Sequence, residues 1–96
     1  MKESKFQRDL IKELEKLFPG CIVMKNDATY IQGIPDLTIL YKDKWATLEC
    51  KKSETSPFRP NQKRYIERMN GMSFSSAIYP ENREEVLHDL QQAFES

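Results

Sequence analysis

Asp36-Leu37-Thr38-Ile39-Leu40-Tyr41-Lys42-Asp43-Lys44-Trp45-Ala46-Thr47-Leu48-Glu49-Cys50-Lys51 decides how this chain folds. Two runs rich in apolar and β-branched residues flank a short polar break, which predicts a β-hairpin with strands over 36–41 and 45–51 and a turn at Lys42-Asp43-Lys44. Side chains alternate along a strand, so Ala46, Leu48 and Cys50 form the expected core face of the later strand. Trp45, Thr47, Glu49 and Lys51 share the other face. Glu49 and Lys51 therefore project together near the strand's end, beside the neighbouring strand that starts at Asp36.

Before the hairpin, Phe6, Leu10, Ile11, Leu14, Leu17 and Phe18 recur at helical spacing until Pro19-Gly20, which predicts a first helix over 3–18. Cys21 to Met24 is short and apolar and suits a strand, and residues 26–35, with Gly33 and Pro35, read as a loop. After the hairpin, Ser53 to Arg59 is a polar linker. Pro60 suits a first helical position, Tyr65, Ile66 and Met69 mark a buried stripe, and Asn70-Gly71 reads as the stop of a second helix. Ser75 to Tyr79 is a fourth strand. Asn82 followed by Glu85 resembles a capping box opening a last helix with Val86, Leu87, Leu90, Ala93 and Phe94 inward. The order is helix, three strands, helix, strand, helix. Each helix has one apolar stripe to bury, so an α/β domain with a central mixed four-stranded sheet flanked by helices is expected.

The chain's 96 residues allow one domain, 1–96, with a modest core. No apolar run approaches a membrane span, and the charged N-terminal stretch lacks a secretory signal's apolar core, so an intracellular, cytoplasmic protein with no membrane partner is expected. Cys21 and Cys50 are too few for a disulfide framework and read as buried thiols, and His88 has no Cys or His at zinc-ligand spacing. Formal net charge is zero, which argues against binding nucleic acid by bulk electrostatics. Charge is unevenly distributed, however. Residues 51–68 carry Lys51, Lys52, Arg59, Lys63, Arg64 and Arg68 against Glu54 and Glu67, whereas the C-terminal stretch is acidic.

Asp36, Glu49 and Lys51 have a chemical use together. Paired carboxylates bind hard divalent cations such as Mg2+, and an adjacent ammonium can orient water and offset charge developing on a phosphate. The Cys50 backbone carbonyl, between Glu49 and Lys51, is a further potential ligand. The plainer reading is a surface cross-strand salt bridge. Two more polar residues interrupt apolar stripes: Glu3, three residues before Phe6, and Gln62, three before Tyr65. A polar pocket shared with Asp36, Glu49 and Lys51 would satisfy both.

Gly33-Ile34-Pro35-Asp36-Leu37, then Glu49-Cys50-Lys51-Lys52, then Gln62 resembles the PD-(D/E)xK nuclease superfamily, and within it the virus-type replication-repair nuclease branch. Glu3 before Phe6-Gln7, Phe18-Pro19-Gly20, Lys25-Asn26-Asp27, Arg59-Pro60-Asn61-Gln62 and Pro80-Glu81-Asn82 extend the likeness to small stand-alone, phage-like members. The resemblance implies a restriction-endonuclease-like αβββαβ core, here with an extra C-terminal helix, hydrolysing DNA phosphodiesters with Mg2+ or Mn2+. It implies Asp36 and Glu49 as metal ligands, Glu3 as a further acid reaching the metal directly or through water, Lys51 as catalytic lysine and Gln62 as a water-orienting group. It also implies a homodimer. Read from the residues, Lys25, Lys52, Arg59, Lys63 and Arg64 are the expected phosphate contacts, because they flank the site. Phe58 or Tyr30 could stack on a base, with packing in the core or a loop as the plainer role. No recognition helix is evident, which favours branched or junction DNA over a base sequence and suits phage or mobile-element replication, recombination or repair. The competing expectations are a nucleic-acid-binding module of nuclease fold without activity of its own, and a small interaction domain.

Overall fold

A computed structural model describes residues 4–96. Helix α1 (Lys5–Leu17) leads to strands β1 (Ile22–Lys25), β2 (Leu37–Tyr41) and β3 (Lys44–Cys50), then α2 (Gln62–Met72), β4 (Phe74–Ile78) and α3 (Arg83–Glu95). The strands lie in the order β1-β2-β3-β4, with β1–β2 and β2–β3 antiparallel and β3–β4 parallel. The sheet is therefore mixed, because α2 carries the chain over one face before β4 runs alongside β3.

Register decides which residues share a face. Leu37 opposes Leu48 and Ile39 opposes Ala46, and both pairs face α1 and α3. Leu10, Leu14 and Phe18 of the first helical segment, and Val86, Leu87, Leu90 and Phe94 of the last, close over them to form the core. Phe18, Tyr41 and Phe94 meet in one aromatic cluster at its edge, with Phe18 centred 5.3 Å from Tyr41 and 5.0 Å from Phe94. The expected core face of β3 is thus the observed one. Its other face is covered as well: Thr47 and Glu49 are 2% and 3% exposed. Helix α2 lies over that side. Thr47 Oγ1 donates to Ser75 Oγ at 2.7 Å, and its sulfur neighbour is Met69 of α2.

Several local expectations are corrected. The first helix begins at Lys5, because Ser4 caps it by accepting from the Gln7 N–H at 3.1 Å. Pro60 stands outside the second helix, and Asn61, with φ of 71°, is its N-cap. The helix does not stop at Asn70-Gly71 but runs on to Met72. Gly71 is not in the left-handed region, and the Asn70 side chain accepts from the Ser75 N–H at 3.1 Å, which ties the helix end to β4. The stripe Tyr65, Ile66 and Met69 is only half-buried. Asn82 is the N-cap of α3, but its side chain makes no cap hydrogen bond. It turns back instead, accepting from Tyr79 N–H at 2.8 Å and donating to Ala77 O at 3.2 Å, so it clamps the β4–α3 connection.

No helix among the described residues is long and apolar enough to cross a membrane.

Candidate active site

The β1–β2 loop delivers Asp36 to the end of β3, and its geometry depends on two residues. Gly33 has φ of +90°, and a Cβ there would lie 2.6 Å from Asn61 Cβ and 2.9 Å from Pro60 O. Only glycine allows this loop to approach the start of α2 so closely. Asn26 then fixes the loop's return. Its Nδ2 donates to Pro35 O and to Thr38 Oγ1, both at 2.8 Å, and its backbone N–H donates to Asp36 O at 2.8 Å.

Asp36 lies on the same sheet face as Thr38, Thr47 and Glu49, by extension of the Leu37–Leu48 register. Its Oδ2 accepts from the Cys50 N–H at 2.9 Å. The Lys51 N–H points the opposite way, to Ile78 O of β4 at 2.9 Å. In an extended strand a residue's N–H and C=O point to the same side, so the Cys50 carbonyl also faces the Asp36 side. That is compatible with the ligand role expected of it. The Cys50 side chain lies on the core face, where burial pushes its thiol up to about 12.

Gln62 ties the remaining groups together. Its Oε1 accepts from Arg59 N–H at 2.7 Å and from Lys51 Nζ at 3.1 Å, and its Nε2 donates to Glu49 Oε2 at 2.8 Å. Arg59 N–H and the Lys51 ammonium can only donate, so the amide has one satisfactory orientation, with its NH2 on Glu49. Gln62, the first residue of α2, therefore ties the Arg59 backbone to the site. Lys51 Nζ also donates to Pro57 O at 2.6 Å.

The two carboxyls occupy an unfavourable setting for ions. Burial, then the charge of neighbouring Asp36, pushes Glu49 up from 4.5 to about 7. Burial also raises Asp36, against the opposing pull of the Cys50 N–H and of Lys51 and Arg59. Glu49 Oε1 is buried with no hydrogen-bond partner among the described residues. Burying such an oxygen unpaired is costly, and a cation would remove the cost. Among the described residues no three His, Cys, Asp or Glu side chains come together as a metal-holding group. Asp36 and Glu49 are a pair, and Glu3, the expected third acid, lies outside the described residues.

These groups sit on the wall of a cleft of about 1220 Å3 between the start of α1, the β1–β2 loop and the β3–α2 loop. Lys25, Lys52 and Arg59 line it together with Asp36, Glu49, Lys51 and Gln62. Lys63 and Arg64 do not; they are exposed on the first turn of α2. Neither aromatic candidate is a core residue, since Tyr30 and Phe58 are 85% and 44% exposed. The sequence reading missed Asn26 as a clamp, and it missed the Pro57 carbonyl and Phe58 as neighbours of Lys51. A backbone carbonyl leaves no trace in residue identity, and an Asn in a polar loop is indistinguishable from solvent-facing ones until the loop closes.

No protein-family model, curated protein or solved structure matches the chain.

Proposed function

We propose that this chain is a Mg2+- or Mn2+-dependent deoxyribonuclease, cutting DNA phosphodiesters within the cleft. The observation that carries the reading is Glu49: buried, hydrogen-bonded through one oxygen, unpartnered at the other and set beside Asp36. Burial raises the proton affinity of both carboxyls, and Asp36 raises that of Glu49 further; the donor set of carboxylate and carbonyl oxygens suits a hard divalent ion. When bound, that ion would supply Lewis-acid polarisation of the phosphate and an activated water.

The chain's own residues do the rest. Asp36, Glu49 and the Cys50 carbonyl would hold the ion, with Glu3 as a further acid. Lys51 brings a cation to the phosphoryl oxygens, where negative charge grows in the transition state. Gln62 orients Glu49 and Lys51 relative to each other through one amide. Lys25, Lys52 and Arg59 line the cleft as phosphate contacts and fix the backbone of the substrate without reading its bases. A cleft without a recognition helix fits selection by DNA shape, as at junctions and branches in phage or mobile-element replication, recombination or repair.

A homodimer belongs to the same proposal. Among the described residues strand β1 is an edge of the sheet, and Ile22, Met24 and Leu40, on the same sheet face as Thr47 and Glu49 but out on β1 and β2, are 58%, 42% and 37% exposed. A second copy would cover them, and Ile22→Glu with Leu40→Glu should leave a monomer in sedimentation.

The deciding experiment incubates the purified protein with Holliday junctions, splayed arms, flaps and linear duplex, with Mg2+, Mn2+ or EDTA. Metal-dependent cutting that Asp36→Ala abolishes is expected. Intact DNA under every condition would overturn the enzyme reading and leave a binding module.

A further inference from the structure

Three groups converge on the ammonium of Lys51. Pro57 O lies at 2.6 Å, Gln62 Oε1 at 3.1 Å, and the centre of the Phe58 ring at 4.4 Å. Two of the three come from the connection between β3 and α2, which is internally tied. Ser53 N–H donates to Ser56 Oγ at 3.1 Å, Ser56 N–H returns to Ser53 O at 3.2 Å, and Arg59 N–H is held by Gln62. A lysine ammonium on its flexible four-carbon stem otherwise samples many positions. Both oxygens that hold this one are neutral, so they fix its place without cancelling its charge.

Phe58 is not one of the buried residues of the hydrophobic core, and it is 44% exposed. A half-exposed phenyl ring centred within cation–π distance of an ammonium is placed to make that contact.

We propose that Phe58 is a positioning residue for Lys51: its ring closes the open side of the Pro57–Gln62 cradle and holds the ammonium at the Asp36–Glu49 end of the cleft. The catalytic consequence rests on the nuclease reading; the placement of Lys51 does not. Holding a charged group in its working position contributes to turnover and not to substrate affinity.

Two measurements test this. The first needs no activity: in NMR spectra of the metal-free, DNA-free protein, the Lys51 CεH2 signal should be displaced by the ring current, keep that displacement in Phe58→Tyr and lose it in Phe58→Leu. An undisplaced signal in the unaltered protein overturns the placement. The second is steady-state cleavage of a junction over a range of DNA concentrations, which gives kcat and KM separately. Phe58→Leu should lower kcat about tenfold, within the range that a cation–π contact carries, with KM nearly unchanged, and Phe58→Tyr should restore the rate. A raised KM at unchanged kcat would overturn the positioning role and make the ring a DNA contact. Absence of cutting by the unaltered protein would sink the nuclease reading and with it the catalytic role, while the NMR result would still decide whether Phe58 places Lys51.

Discussion

Replacing Glu49 by Gln should make the metal-free protein more stable at alkaline pH. Glu49 is 3% exposed and pushed up from 4.5 to about 7 by burial and by Asp36. The folded state therefore holds a proton that the unfolded state releases between those values. The stability this group supports is fully present below about 4.5 and is lost as pH rises through about 7. At about 1.4 kcal/mol per tenfold change in proton affinity, the interval corresponds to about 3 kcal/mol as an upper bound. Water reaching the cleft should reduce the observed effect to about 1–2 kcal/mol, or roughly 5–15 °C in Tm for a domain of this size. Glutamine keeps the side chain's shape and an oxygen for Gln62 Nε2, but carries no charge. Urea denaturation with EDTA at pH 5, 6, 7 and 8 reads the slope directly. The unaltered protein should lose stability from pH 5 to 8, and Glu49→Gln should lose much less. With millimolar Mg2+ the order at pH 8 should reverse, because only the carboxylate form gains from the ion. Parallel pH profiles for the two proteins in EDTA would refute the assignment of Glu49 as a buried acid in need of a cation.

Other outcomes follow from the same geometry. Lys51→Ala should abolish cleavage while leaving the urea midpoint and Mg2+ affinity nearly unchanged; strong residual cutting would remove Lys51 from the chemistry. Gly33→Ala places a Cβ 2.6 Å from Asn61 Cβ at a φ of +90° and should cost about 2 kcal/mol or more in urea denaturation, so an unchanged midpoint would deny the close approach. Asn26→Ala removes both donors to Pro35 O and Thr38 and should cost about 1–2 kcal/mol by the same measurement. Lys52→Ala with Arg59→Ala should reduce the slope of log affinity against log salt by about two, whereas Lys63→Ala with Arg64→Ala should change it less; the opposite ranking would move the phosphate track onto α2.

What the sequence by itself determined is whatever repeats at the period of a single element. Alternation along Trp45–Lys51 separated Ala46 and Leu48 from Glu49, and the 3.6-residue stripes located all three helices, because burial of one face leaves a periodic mark on local residue choice. The same logic set Gln62 inward from its spacing to Tyr65, Ile66 and Met69. Boundaries fared less well where a distant partner competed with a local signal. Asn70-Gly71 reads as a helix stop, yet Asn70 is engaged by Ser75 of β4 and the helix continues. Asn82 reads as a side-chain cap, yet its amide is taken up by Tyr79 and Ala77.

The site shows the same division. Residue identities named Asp36, Glu49, Lys51 and Gln62, but only the tertiary structure decided their relations: which Gln62 atom faces which partner, that Lys51 rests on Pro57 O and Phe58, and that Glu49 is buried with one oxygen unmatched. It also separated Lys25, Lys52 and Arg59, which line the cleft, from Lys63 and Arg64, which do not. The physical reason is that desolvation and hydrogen-bond geometry depend on what covers a side chain, and here the cover comes from a loop and a helix folded back over the end of β3. Local sequence encodes the hairpin; the closure of α2 and its loop over that hairpin turns two acids, a lysine and an amide into one connected site.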